Sequence, residues 1–265
     1  MIILAKLVPL FSGSKGNSYY IGSSGQGVLI DAGRSCKQIE NAMKANDLDI
    51  KSEGAIFITH EHTDHCKALR VLASRYKIKV FASLGTLQAL EYADMLDSRF
   101  PVEVISKEAV VGDMLITRVN TSHDAAESCG FSIVCADGRK ATVATDTGCM
   151  NDDIRRQICS SDIAVIESNH DVNMLKNGYY PYMLKRRILS DIGHLSNDCC
   201  ANELADFVKN GCNRFVLGHL SEENNTPEVA LQTSLCTLSQ AGMKQNSDFE
   251  ICVAPPETNG KRLIF

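Results

Sequence analysis

The run Ile56-Phe57-Ile58-Thr59-His60-Glu61-His62-Thr63-Asp64-His65 constrains this chain more than any other stretch. Its first half is short, apolar and rich in β-branched and aromatic residues, which reads as a buried strand rather than a helix. Three histidines and an aspartate follow at once, in what reads as a tight loop at the strand's carboxyl end. Side chains two apart on extended backbone point the same way, so His60 and His62 are expected to face one point. Once the chain turns, Asp64 and His65 aim at a second point. Imidazole nitrogens and carboxylate oxygens suit zinc, and to a lesser degree manganese or iron. The plainer reading is a polar loop that happens to be rich in histidine. Four ligand-type side chains directly after a buried strand favour metal binding over it.

The same arrangement recurs downstream. Val119-Asn120-Thr121-Ser122-His123 leaves a strand at a histidine, and Ala141-Thr142-Val143-Ala144-Thr145-Asp146 leaves one at an aspartate. Ala164-Val165-Ile166-Glu167-Ser168-Asn169-His170 ends in acid and histidine, and Phe215-Val216-Leu217-Gly218-His219 in histidine. Upstream, Gly27-Val28-Leu29-Ile30-Asp31 ends in an acid. Buried strands that each end in a ligand-type residue bring side chains far apart in sequence to one sheet edge. Between them, helical spacing is expected over Cys36–Leu48, Lys67–Tyr76 and Leu84–Leu96, with a strand at Lys79–Ala82. Met1–Phe11 reads as a first strand rather than a signal peptide, since Lys6 and Pro9 interrupt it and no small-residue cleavage site follows. Ser12–Ser18 reads as a hairpin turn or an anion-binding loop, and it lacks the spacing of a nucleotide-binding P-loop. Glu103–Ile105 and Val110–Val119 alternate like antiparallel strands about a Gly112-Asp113 turn.

Bulk properties exclude other classes. A net charge of −5 gives no global basic field for nucleic acid or anionic membrane, so any polyanion needs a local site. The 44% hydrophobic and 22% charged content is that of an ordinary globular chain, and no run is long enough to span a membrane. The 11 cysteines are odd in number, show no C-x-x-C pair and include the adjacent Cys199 and Cys200. Such a set has no disulfide framework, with Cys135, Cys212 and Cys252 reading as small core residues. It points to a reducing, cytoplasmic setting. No linker, repeat or low-complexity segment divides the chain, which is expected to form a single domain over residues 1–265.

His60-x-His62-x-Asp64-His65, with Asp31 upstream and His123, Asp146 and His219 downstream, resembles the metallo-β-lactamase superfamily. The resemblance implies an α/β fold, the αββα sandwich of two mixed β-sheets flanked by helices, with two divalent metal ions. Matched by position, it implies His60, His62 and His123 on one ion and Asp64, His65 and His219 on the other. Asp146 would bridge the two, and Asp31 would hold the histidine loop by hydrogen bonds. Ala68 stands where many members carry glycine. Cysteine replaces the equivalent of Asp146 in lactamases proper. Only 22 residues separate His123 from Asp146 and 72 separate Asp146 from His219, too few for the arm of the tRNA-processing members or the inserted domain of the larger nucleases.

Glu167-Ser168-Asn169-His170-Asp171, Tyr180-Pro181, Leu184-Lys185-x-Arg187-Ile188, Gly193-His194-Leu195-Ser196-Asn197 and His219-Leu220-Ser221-x-x-Asn224-Asn225 resemble the YycJ/WalJ/VicX branch. That likeness implies a bacterial 5′-to-3′ DNA exonuclease, with DNA or another phosphodiester as partner. Two cations sharing a water would give a bridging hydroxide at neutral pH, which Asp64 would orient. His194 is expected to contact the substrate phosphate or protonate the leaving oxygen, against the plainer reading of a turn-capping histidine. Glu167 and His170 are candidates for supporting the ligands, and Ser221 and Asn225 for lining the pocket. Lys185, Arg186 and Arg187 read either as a solvated helix face or as a guide for a phosphate backbone. Two other functions stay open: hydrolysis of a small ester, cyclic phosphodiester or lactone, and a non-catalytic metal-holding regulatory partner of a two-component signalling system.

Overall fold

In the computed structural model, residues 4–23 and 26–265 are described, so residues 1–3 of the expected first strand lie outside the described residues. Two compact units divide the chain. The first comprises residues up to Arg118, Ala125–Arg139 and Pro255–Phe265; the second comprises Val119–Asp124 and Lys140–Ala254. Among the described residues the strands form two seven-stranded mixed sheets with helices, ordered β14-β1-β2-β3-β4-β5-β6 and β13-β12-β11-β10-β9-β8-β7.

The first sheet is built from β1 (Lys6–Phe11), β2 (Ser18–Ser23), β3 (Gln26–Ile30), β4 (Glu53–Phe57), β5 (Lys79–Ala82), β6 (Val102–Val104) and β14 (Leu263–Ile264). Helices α1 (Cys36–Ala45), α2 (Thr63–Cys66), α3 (Leu69–Tyr76) and α4 (Leu84–Tyr92) lie in the same unit. Alternation along β4 and its continuation decides what faces what. Ile56 and Ile58 join Ile39 and Met43 of α1 and Leu69 and Leu72 of α3 in one buried core. Phe57 points the other way, stacks on Phe81 with centroids 4.8 Å apart, and meets Phe131 edge-on at 5.3 Å. Phe131 lies on β9 (Cys129–Val134) of the second sheet, so two sheets share an aromatic layer within this unit. Strands β3, β4 and β5 are parallel and in register, Ile30 opposite Phe57 and Phe57 opposite Phe81. Their carboxyl ends therefore share one edge.

Some boundaries differ from expectation for local reasons. Helix α1 stops at Ala45, where the Asn46 N–H turns back to Met43 O and Asp47 takes φ +50°. Helix α4 stops at Tyr92, with Asp94 at φ +57°. The Gly112-Asp113 turn does join a hairpin, but its strands are β7 (Glu108–Val111) and β8 (Met114–Asn120), with Val111 opposite Met114. A two-residue turn pairs the residues that flank it directly. Val102–Val104 instead pairs parallel to β5 at the edge of the first sheet.

In the second unit β10 (Lys140–Ala144), β11 (Ile163–Glu167), β12 (Arg214–Gly218) and β13 (Glu250–Val253) are all parallel. Ala164, Ile166, Phe215 and Leu217 form one face of these strands. They pack with Ile154 and Ile158 of α5 (Asp152–Cys159), Leu204 and Phe207 of α8 (Asn197–Lys209) and Leu238 of α9 (Pro227–Gln240). Helices α6 (Val172–Asn177) and α7 (Tyr182–Ile188) lie between β11 and α8 in sequence. Polar side chains start α5, α8 and α9: Asn151, Ser196 and Thr226 each accept an N–H of the first turn, as N-caps do. Register places Ala144 beside Ile166, and Ile166 beside Leu217, so these carboxyl ends also share an edge. Among the described residues no helix is long and apolar enough to cross a membrane, and all 11 cysteines are free thiols. Cys135 and Cys212 are buried as core residues, whereas Cys252 is half-buried.

Candidate active site

In the first unit the ligand-type residues lie on the loop after β4 and at the end of β3. Strand β4 ends at Phe57, so His60 and His62 are not aligned by strand alternation. They follow it on irregular backbone, with His62 in extended geometry as the N-cap of α2, and Asp64 and His65 fall inside that helical turn. His60 Nε2 lies 3.1 Å from His62 Nδ1, and the His60 and His65 rings are 4.1 Å apart by centroid. Asp31 organises this loop from below. One carboxylate oxygen accepts the Thr59 N–H at 2.8 Å; the other meets His65 Nδ1 at 2.8 Å. Thr59 Oγ1 bridges this carboxylate and His60 Nδ1, at 2.9 and 3.0 Å. A histidine whose Nδ1–H is taken by a carboxylate presents the Nε2 lone pair, the usual outer support of a metal ligand. Burial pushes the Asp31 carboxyl up, opposed by the His65 ring and by the Thr59 bonds.

Asn17 is a support residue that sequence reasoning passed over. Its Nδ2 lies 3.1 Å from His65 Nε2, and its backbone N–H donates to Asp64 O at 2.8 Å. The Gly/Ser loop is therefore a hairpin connection that also braces the histidine loop. The signal was present only as one asparagine among turn residues, where asparagine is common for its own reasons.

In the second unit Asp146 follows β10, Glu167 ends β11 and His219 follows β12. Asp146 Oδ2 lies 2.7 Å from His219 Nδ1, and Glu167 Oε1 lies 2.7 Å from His194 Nδ1. Glu167 is wholly buried, and its other oxygen accepts the Thr147 and Leu195 N–H groups at 2.8 and 3.3 Å. One ligand-type atom from each of Asp146, Glu167, His194 and His219 lies within 4.8 Å of the others. Within this group Asp146 and His219 supply the oxygen and imidazole donors that fit a divalent cation, while Glu167 and His194 are paired with each other. His123 directs Nδ1 to Gly193 O at 2.9 Å, and its Nε2 is 3.9 Å from Asp146 Oδ1. Burial pushes the His123 imidazole down, opposed by the nearby Asp146 and Glu167 carboxylates.

The backbone here is held in an unfavourable region. Asp31, Asp146 and His219 have φ of +65°, +55° and +54°. Left-handed backbone costs a non-glycine residue about 1–2 kcal/mol, and outliers of this kind concentrate at functional sites. At His219 the compensation is visible, since Asn169 Nδ2 donates to the His219 carbonyl at 2.8 Å. Asn225 braces the same region: its Nδ2 lies 2.9 and 3.0 Å from Ser168 O and Asn169 O, and its Oδ1 accepts from Asn197 Nδ2 at 2.9 Å. Ser221 accepts the Asn224 N–H at 3.2 Å and donates its own N–H to Asn169 O. Both residues spend polar atoms on the backbone of this buried network. His170 is buried too, with neither ring nitrogen hydrogen-bonded to protein among the described residues. Glu167 pairs with His194 rather than with His170. Of the basic cluster, Lys185 Nζ donates to Lys176 O and Gly178 O, Arg187 pairs with Asp124, and Arg186 lies exposed over the Tyr182 ring.

The family described as "Beta-lactamase superfamily domain" matches residues 26–220. Exodeoxyribonuclease YycJ of Bacillus anthracis is 38% identical over 251 residues, which span 94% of this chain and 94% of that protein. Among solved structures, the metallo-β-lactamase fold protein YhfI of Bacillus subtilis superposes with a TM-score of 0.70 at 15% identity, over 98% of this chain and 99% of that one. Unliganded yeast PDE1 superposes with a TM-score of 0.72 at 11% identity over the whole of both chains, a likeness of fold.

Proposed function

The chain belongs to the metallo-β-lactamase superfamily of hydrolases, and from that premise we propose that it is a dinuclear-metal phosphodiesterase degrading DNA from the 5′ end. The 38% identity to an exodeoxyribonuclease over 94% of both chains carries this reading. His60, His62 and His123 would hold one ion and Asp64, His65 and His219 the other, with Asp146 shared. Two divalent cations, zinc foremost and manganese or iron as alternatives, would supply Lewis-acid polarisation of a phosphoryl oxygen and would acidify a water.

The protein's own side chains do the rest. Asp31 and Thr59 fix the rings of His65 and His60, so that each presents a defined nitrogen. Asp64 orients the attacking water. Glu167 accepts the Nδ1–H of a doubly protonated His194 ring, whose Nε2–H would pass to the leaving oxygen and leave the ring neutral with its Nδ1–H in place. Glu167 is itself locked by the Thr147 and Leu195 N–H groups, so the His194 ring has one orientation.

The test is turnover of labelled DNA with zinc or manganese, beside a bis-phosphodiester dye and a metal analysis. DNA degradation from the 5′ end, abolished by chelation, is the expected result. Turnover of the dye alone assigns a small substrate, and turnover of neither assigns a non-catalytic role. His194→Ala should lower kcat about 100-fold or more with metal content unchanged. Glu167→Gln should lower it in the same direction. A His194→Ala protein that cleaves at the wild-type rate removes the proton-donor role.

A further inference from the structure

Exposed apolar side chains in the second unit are not scattered. Among the described residues its exposed large hydrophobics are Tyr179, Tyr182, Met183, Leu189 and Ile192, all within one short segment around α7. Tyr179 is fully exposed at 104%, and Tyr182 and Met183 are 72% and 70% exposed. Concentrated apolar exposure of this sort marks a binding surface. Cations cluster along it, with acids at its margins: Asp171 and Asp191 flank the segment and Asp124 pairs with Arg187. Four cations, Lys176, Lys185, Arg186 and Arg187, fall within residues 172–190, in a chain whose net charge is −5. Arg186 sits over the Tyr182 ring with its guanidinium carbon 5.9 Å from the centroid, so a cation and an aromatic face are presented together.

This segment is fastened to the site. His194 N–H donates to Ile188 O, the last residue of α7, at 3.0 Å, and Gly193 N–H donates to Ser190 O at 2.9 Å. Gly193 is required for that closeness, because a Cβ there would stand 2.2 Å from Arg187 O. Gly193 O in turn receives His123 Nδ1 at 2.9 Å, and Asp124 N–H donates to Ile192 O at 3.0 Å. The carboxyl end of α7 is thus tied through its backbone to the segments that carry His194 and His123.

Resting on the exonuclease reading, we propose that Tyr179 and Tyr182, with Arg186, form a stacking platform for the unpaired bases of the DNA strand being degraded. Aromatic faces beside cations are the means by which proteins hold single strands without reading sequence, since every base has a π-face and every nucleotide a phosphate. An enzyme that removes nucleotides from an end needs that sequence-tolerant grip. Lys185 and Arg187 shape the platform rather than contact the strand, because the first clamps the 176–178 backbone and the second pairs with Asp124.

The experiment uses full-length, metal-loaded protein and a 5′-phosphorylated single-stranded oligonucleotide carrying 2-aminopurine near its 5′ end. Wild type is expected to quench the 2-aminopurine on binding. The Tyr179→Ala/Tyr182→Ala protein should lose the quench and raise KM about tenfold, with kcat changed less than about twofold. Tyr179→Phe/Tyr182→Phe should behave as wild type, since stacking needs the ring and not the hydroxyl. Alanine variants with unchanged KM and quench, in an enzyme that degrades DNA, overturn the platform and leave the exonuclease standing. Loss of a concentration-dependent dimer in the alanine variant, with DNA kinetics unaltered, overturns it in favour of a subunit interface. Wild type that neither binds nor degrades DNA removes the exonuclease reading and the platform with it.

Discussion

At the scale of single residues, His170 and Glu167 show how burial decides what a polar side chain does. Both are almost wholly buried. Glu167 is answered by two backbone N–H groups and the His194 ring, whereas the ring of His170 meets no protein hydrogen-bond partner among the described residues. Burial pushes the His170 imidazole down to about 4 from the ordinary 6.5. The folded state therefore resists a proton that the unfolded chain accepts. Stability from this residue is intact above pH 6.5 and is lost as pH falls through 6.5 toward 4. A shift of this size corresponds to about 3 kcal/mol. The unfolding free energies of wild type and His170→Gln, measured by urea titration, should therefore converge by about 3 kcal/mol from pH 7 to pH 4. Parallel pH profiles for the two proteins would exclude this.

At the scale of elements, the histidine loop is set by close backbone approach as much as by its side chains. Asn17 N–H donates to Asp64 O, Gly33 N–H to Asn17 O, and Ala32 N–H to His65 O, at 2.8, 2.9 and 2.8 Å. Three chain segments are braided, and Gly33 lies where they touch. A Cβ on it would sit 1.7 Å from Asp64 O and 2.6 Å from Asn17 N, both backbone atoms that cannot swing aside. Gly33→Ala must push the Asp64–His65 turn outward. Overpacking of this kind should cost about 3 kcal/mol, read as a lower urea midpoint, and should lower metal content. A variant with wild-type stability and full metal content would show that the turn has slack.

At the scale of the whole chain, the proposed metal ligands come from positions 60 to 219, so bound ions would link segments distant in sequence. A ligand that binds only the folded state stabilises it by mass action, about 2.7 kcal/mol at a hundredfold excess over Kd. A chain of this size gains about 2–4 °C for each kcal/mol. Restoring zinc or manganese to chelator-stripped protein should raise Tm by about 5 °C or more. The same addition to a His60→Ala/His65→Ala protein should raise it much less. An unchanged Tm on metal addition to wild type would count against metal holding altogether.

What the sequence determined by itself was local chemistry. Short apolar, β-rich runs located most strands, and the residue type at each strand's end identified Asp31, His60, Asp146, Glu167 and His219 as a set worth bringing together. Parallel strands in register share a carboxyl edge, so such residues meet within each unit whatever the loops do. Helix ends at Ala45 and Tyr92 and the placing of Val102–Val104 were less legible, because they depend on turn geometry and on which sheet has an open edge. Tertiary structure alone decided the partners: Glu167 on His194 across 27 positions, Asn17 on His65 across 48, and Asn169 under the left-handed His219 across 50. It also decided that Lys185 and Arg187 are committed to backbone and to Asp124, leaving Arg186 over the Tyr182 ring. Ligand type and hydrophobic period are properties of neighbouring residues. A hydrogen-bond partner is chosen by where distant segments are carried by packing, and no local pattern records that.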